Sequence, residues 1–221
     1  MKKLAIIHTT PVTVEPLKEL ARQVIGEIEI FNFVDDSILP QLAGNDGDLS
    51  AVEYRWMHYA QFAEQAGADV ILSACSSVGQ LADRADSRMS VPVLRIDEAM
   101  ASEAVRRADR IGVAATLQTT LGPTMQLIRE KAAQAGKEVE LVPGLADRAY
   151  GKLMQGDREG HDEELAKTLM DLAGRTDVVV LAQASMARVV AKLPDAARSK
   201  FLSSPRSGME SVKKLLAGDG K

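Results

Sequence analysis

Two stretches, "ADVILSACSSVGQLAD" (Ala68 to Asp83) and "TDVVVLAQASMARVVA" (Thr176 to Ala191), decide how this chain folds. Each has an acidic second residue, Asp69 or Asp177, at an offset of 108, runs through an aliphatic segment and continues into a loop of small and hydroxyl-bearing residues. One extra residue in the second copy then sets Ser76 opposite Ser185 and Cys75 opposite Ala184. A second pair agrees with the first. "IIHTTPVTVEPLKEL" (Ile6 to Leu20) lies over "VAATLQTTLGPTMQL" (Val113 to Leu127) at an offset of 107, matching Thr9 to Thr116, Thr13 to Thr120 and Pro16 to Pro123. Repetition at this distance means the chain is built twice.

Short apolar runs, "KLAII", "EIEIFNF", "DVILSA", "VPVLRI", "RIGVAA", "EVELV" and "DVVVLAQ", alternate with amphipathic stretches such as "VEYRWMHYAQFAEQAG" and "PTMQLIREKAAQAG". Strands alternating with helices, and apolar along their whole length, belong in parallel sheets covered on both faces. The expected fold is α/β. It has two pseudo-symmetric lobes, each a mainly parallel sheet flanked by helices, with the active site between them. The lobes are assigned to residues 1–107 and 108–204. Residues 205–221 read as a C-terminal helix, started by Pro205 or Ser207 and stopped by Gly218, that folds back on the first lobe. "PGLADRAYGKLMQGD" (Pro143 to Asp157) reads as a mobile segment after a strand, able to help cover the site.

Composition narrows the partners. The net charge of -4 carries no basic stripe for nucleic acid and no polybasic arm for lipid. No apolar run approaches the roughly 20 residues of a membrane span. The opening Leu4 to Ile7 run is too short for a secretory h-region of about 7–15 residues. Cys75 is the only cysteine, which forbids an internal disulfide and fits a cytoplasmic location. With three scattered histidines it leaves no metal site.

The chemistry is expected in the loops that end the strands, because sheets of this kind bind ligands beyond the C-terminal ends of their strands. Thr9, Thr10, Ser76 and Ser77 from the first half, and Thr116, Gln118, Thr119, Thr120 and Ser185 from the second, supply polar groups for a small carboxylate. Hydroxyl residues also cap helices everywhere, and recurrence at matching positions in both halves is what lifts these above ordinary caps. Cys75 ends a strand and opens a helix, a position that lowers a thiol pKa and favours the reactive thiolate. His8 stands at a strand end. His58 reads as part of a packed helix face, and His161, in "GDREGHDEEL", as solvated. Asp97 and Glu98 either reach the site or start a helix.

The Thr-rich first loop, "SACSSVG", "IGVAATLQTT" and "VVVLAQASMA" together resemble the aspartate/glutamate/hydantoin racemase superfamily, whose relatives include maleate isomerase and arylmalonate decarboxylase. The resemblance covers nearly the whole chain. It implies a cofactor-independent isomerase in which one thiol from each lobe addresses opposite faces of a substrate α-carbon, and it implies a homodimer or higher homo-oligomer. Cys75 matches the first thiol. "QASMA" stands where "QCSMA" would supply the second, so Ala184 marks the second-thiol position, whether in a natural one-thiol chain or through a Cys→Ala change. The arylmalonate decarboxylases also work with one thiol, but from the other lobe. A one-thiol lyase and a catalytically incomplete carboxylate-binding protein therefore stand as alternatives.

Overall fold

The computed structural model describes residues 1–218. In chain order the first half runs β1 (Lys3–His8), α1 (Val14–Ile25), β2 (Glu29–Val34), α2 (Ile38–Ala43), α3 (Ser50–Gln65), β3 (Val70–Ser73), α4 (Gly79–Asp86) and β4 (Val93–Arg95). Next come α5 (Glu98–Arg107), β5 (Arg110–Ala115), α6 (Gln118–Gln134), β6 (Glu140–Leu145), α7 (Asp147–Met154) and α8 (Arg158–Arg175). The last elements are β7 (Val178–Leu181), α9 (Ala187–Val190), α10 (Asp195–Arg198), β8 (Phe201–Ser203) and α11 (Ser204–Ala217).

The strands form two four-stranded sheets, ordered β2-β1-β3-β4 and β6-β5-β7-β8, and every pairing within them is parallel. The repeat seen in sequence is a repeat of bonding. The Lys3 N–H donates to the Asp69 carboxylate at 2.7 Å, and the Arg110 N–H donates to Asp177 at 3.0 Å. Each acidic residue thereby satisfies a strand-end amide that no neighbouring strand reaches.

Both faces of each sheet are buried, and the period of two along the strands assigns the side chains. In the first sheet Ala5, Ile7 and Ile71 pack with Trp56, Leu81 and Ala82 of α3 and α4, while Leu4, Ile6, Val70 and Leu72 pack with Leu17 of α1 and Met209 and Val212 of α11. In the second, Ile111, Val113, Val178 and Val180 meet α5 and α6, while Ala114, Val179 and Leu181 meet α7, α8 and α9.

The chain divides into two compact units, Met1–Glu98 with the chain from Pro205, and Ala99–Ser204. α5 falls in the second unit because Met100, Ala101, Ala104 and Val105 are buried in its core. α11 falls in the first because Met209 and Val212 are buried there. The helix after each unit's last strand thus completes the other unit. α11 lies close: a Cβ on Gly208 would come within 2.6 Å of the Ile96 carbonyl oxygen, so only glycine permits this approach.

Two features differ from the expectations. β8 is an eighth strand where seven were foreseen, since three residues carry too little periodicity to stand out. Pro143 to Asp157 does not simply follow a strand: Pro143 lies in β6, an edge strand that tolerates the missing N–H, and Asp147–Met154 form α7 with Ala149 buried. Among the described residues, no helix is long and apolar enough to cross a membrane.

Candidate active site

In each sheet the strand order reverses between its two central strands, and the crevice beyond their carboxyl ends is where such sheets take ligands. The first unit places Thr9 and Cys75 there, directly after β1 and β3. Thr9 is buried and Cys75 partly exposed. Cys75 keeps an extended backbone, with φ -140° and ψ 120°, and caps a 3-10 turn over Ser76–Val78 that runs straight into α4. Its sulfur accepts hydrogen bonds from the hydroxyls of Thr9 and Ser77 and the N–H groups of Ser77 and Val78. Burial nonetheless pushes the thiol pKa up, and these donors only moderate the rise. That reverses the lowering expected from a helix N-terminus. Cys75 caps a 3-10 turn ahead of α4, and there desolvation outweighs the donors that favour the thiolate.

Around this loop the chain is braced by charge. Arg95, at the end of β4, is 4% exposed and bonds Asp97 at 3.0 and 3.2 Å and Asp83 at 2.8 Å. Its guanidinium lies against Gly79, where any Cβ would overlap it, so the start of α4 is locked to β4. Asp97 is fully buried as Arg95's counter-ion, which assigns it to this brace. Thr10 accepts from the Val12 N–H at 3.4 Å and caps the turn over Pro11–Thr13. His8 is fully buried between the Thr13 hydroxyl, 2.8 Å from Nδ1, and Asn32, 2.9 Å from Nε2. Burial pushes its pKa down despite the Asn32 bond, so His8 is neutral at pH 7.

In the second unit, Thr116 and Gln183 follow β5 and β7. Ala74 N–H bonds Ile7 carbonyl, and Ala182 N–H bonds Ala114 carbonyl, so the offset between the halves is still 108 at the strand ends (182 less 74). It stays 108 at the next residue: Gln183, with φ -132° and ψ 132°, caps a 3-10 turn over Ala184–Met186 just as Cys75 caps its own. No residue is inserted here. Cys75 therefore stands opposite Gln183, and Ala184 opposite Ser76, one residue away from the pairing that sequence alignment suggests. The Thr116 hydroxyl bonds Gln183 as the Thr9 hydroxyl bonds Cys75, and Thr116 adds its backbone N–H. Its N–H donates to Gln183 Oε1 at 2.8 Å and its hydroxyl at 2.9 Å.

The remaining candidates are spread along this edge. Gln118 and Ser185 are exposed, Thr119 is half-buried at the start of α6, and Thr120 is buried in its first turn, where its carbonyl accepts from Thr124 at 2.9 Å. His58 is half-buried, tilted between Tyr54 and Phe62 on an outer face of α3. His161 corrects its expectation: it is 5% exposed, 2.9 Å from Asp162. Asp162 in turn accepts from Arg188 at 2.6 Å and Lys192 at 2.7 Å, and although burial opposes its charge, these bonds hold its carboxyl far below the usual range. Gln183 and Asp162 are the residues that sequence reasoning passed over. An ungapped count of 108 from Cys75 would have found the first.

A sequence model described as Asp/Glu/Hydantoin racemase matches residues 6–212. The chain belongs to the Asp/Glu/Hydantoin racemase family. Solved structures share the fold. Glutamate racemase from Aquifex pyrophilus is 19% identical with a TM-score of 0.70, covering 99% of this chain and 85% of its own. Aspartate racemase from Picrophilus torridus is 13% identical with a TM-score of 0.72, covering 99% and 95%. Allantoin racemase from Klebsiella pneumoniae is 19% identical with a TM-score of 0.68, covering 98% and 88%. No curated protein matches the chain.

Racemases are isomerases, and this racemase-family chain is an enzyme of that class. Its first unit offers a thiol surrounded by four hydrogen-bond donors, able to release and recover a proton. The second offers an amide at the corresponding position, which carries no exchangeable acid near neutral pH. Among the described residues there is no group of three or more His, Cys, Asp or Glu side chains able to hold a metal ion.

Proposed function

We propose that this racemase-family enzyme acts on a small carboxylate without a cofactor, with Cys75 as its acid/base thiol. The observation that carries the reading is the Cys75 environment at the strand-order reversal of the first sheet, where the Thr9 and Ser77 hydroxyls and two backbone N–H groups bond the sulfur. Those donors stabilise the thiolate formed when a proton leaves, and they orient the sulfur for its return. Ser76 and Thr10 in the first unit and Gln118, Thr119, Thr120 and Ser185 in the second are the proposed carboxylate donors, while Thr116 gives both of its own donors to Gln183. The protein is proposed to work in the cytoplasm as a homo-oligomer.

A second reading, a one-thiol lyase, draws on two particular observations. The raised Cys75 pKa keeps the resting group a thiol, ready to donate, and Gln183 at the equivalent position of the second unit is no proton donor. In that reaction the bond from the α-carbon to a carboxyl group breaks, its electron pair remains as an enediolate, carbon dioxide leaves, and Cys75 supplies the proton.

Incubation in D₂O with L-aspartate, L-glutamate, L-malate and methylmalonate separates the two. An isomerase washes deuterium into recovered substrate, whereas a lyase places one deuterium stereospecifically in its product. Cys75→Ala is expected to lower either activity by roughly a thousandfold or more while the thermal midpoint holds. Turnover surviving that substitution would remove Cys75 from the chemistry.

A further inference from the structure

Gln183 has one feature that a structural glutamine does not need. Both donors of Thr116, its backbone N–H at 2.8 Å and its hydroxyl at 2.9 Å, converge on Oε1. A backbone N–H can only donate, so the amide cannot be flipped: oxygen faces Thr116 and nitrogen takes the opposite branch of the planar group. Thr116 is 6% exposed and fixed at the end of β5, which makes it a rigid clamp. Gln183 is half-buried, so its amide is held in one orientation while remaining accessible. Two donors on the carbonyl also polarise the amide and strengthen its N–H groups. Neither N–H is consumed by the clamp.

We infer that Gln183 is a substrate-binding residue that presents its Nε2 hydrogens to the carboxylate or enediolate oxygen, as a fixed amide donor in the place where the repeat puts a thiol in the first unit. The inference rests on the carboxylate reading above and adds to it the group that makes the two units chemically unequal. Gln183 holds negative charge without moving a proton. A donor aimed where charge develops, and already oriented, acts without reorganisation as the reaction proceeds.

The test uses the full-length protein and malonate as the probe. In wild type, malonate is expected to bind saturably by isothermal titration calorimetry and to shift the Gln183 side-chain NH₂ signals in a ¹⁵N-resolved spectrum, those signals being identified by their loss in Gln183→Glu. Gln183→Glu is the informative variant because its carboxylate still accepts both Thr116 bonds, so the clamp and the unliganded thermal midpoint survive. It has lost the two donors and gained a negative charge, and malonate affinity is expected to fall by roughly thirtyfold or more. Gln183→Met is expected to lose about tenfold. A Gln183→Glu protein that binds malonate like wild type, or NH₂ signals that do not move at saturation, overturns the inference and leaves Gln183 a mere brace for Thr116. If wild type itself fails to bind malonate, the carboxylate reading falls, and this inference with it.

Discussion

At the scale of single residues, the balance of forces on Cys75 sets how the protein reacts with electrophiles. Burial favours the neutral thiol, and the bonds from Thr9, Ser77 and Val78 favour the thiolate, with burial prevailing. Cys75 is thus protonated through neutral pH. Its alkylation by iodoacetamide should climb steadily with pH and inflect above the ordinary thiol range of about 8.5. Thr9→Val removes a donor to the thiolate, so its inflection should move higher still. An inflection below 8 in wild type would mean that the hydrogen bonds dominate. A lone cysteine before "SSVG" is visible in sequence, but the sign of its pKa shift is not, because the sign depends on how much protein surrounds the sulfur. His161 teaches the same lesson. Its acidic neighbours suggest solvent, yet Arg188 and Lys192, roughly thirty residues on, neutralise Asp162 and let the histidine be buried.

Among the elements, the strands were readable because full burial on both faces leaves continuous aliphatic runs, as in "DVILSA" and "DVVVLAQ". β8 escaped because Phe201–Ser203 is too short to show a pattern, and its identity as a strand comes from pairing with β7. The site residues were legible as a set of loops, but not to one residue. Small residues follow both strands, so the alignment could slip by one at no visible cost, and only the backbone bonds of Ala74 and Ala182 fix the count. α11 exposes another limit of sequence. Gly208 looks like a helix-weakening residue, whereas its lack of a Cβ is what lets the helix rest on the Ile96 backbone. Gly208→Ala is expected to destabilise the protein by about 3 kcal/mol, read as a lower urea midpoint at unchanged slope. The helix-propensity gain of about 1 kcal/mol that alanine brings elsewhere is thereby reversed. A stabilised variant would show that the helix can lift from Ile96 at little cost.

For the molecule as a whole, the repeat makes two similar units from one plan, and the chain path ties them together through α5 and α11. Met209 and Val212 are fully buried against Leu4, Ile6, Val70 and Leu72, and Leu215 and Leu216 pack partly against the same face. Burial of the first two side chains alone contributes about 3–6 kcal/mol. That is a large fraction of the roughly 5–15 kcal/mol that holds a typical domain together. The cores of the second unit draw no residue from α11. A chain ending at Ser204 should therefore fail unevenly. In hydrogen-exchange mass spectrometry, peptides covering β1 and β3 are expected to lose protection, and those covering β5 and β7 to keep it. The same truncation should abolish any activity that depends on Cys75, since the loop carrying it hangs on β3. Equal loss of protection in both halves would mean instead that the units fold only as one cooperative block, and that α11 stabilises more than the sheet it covers.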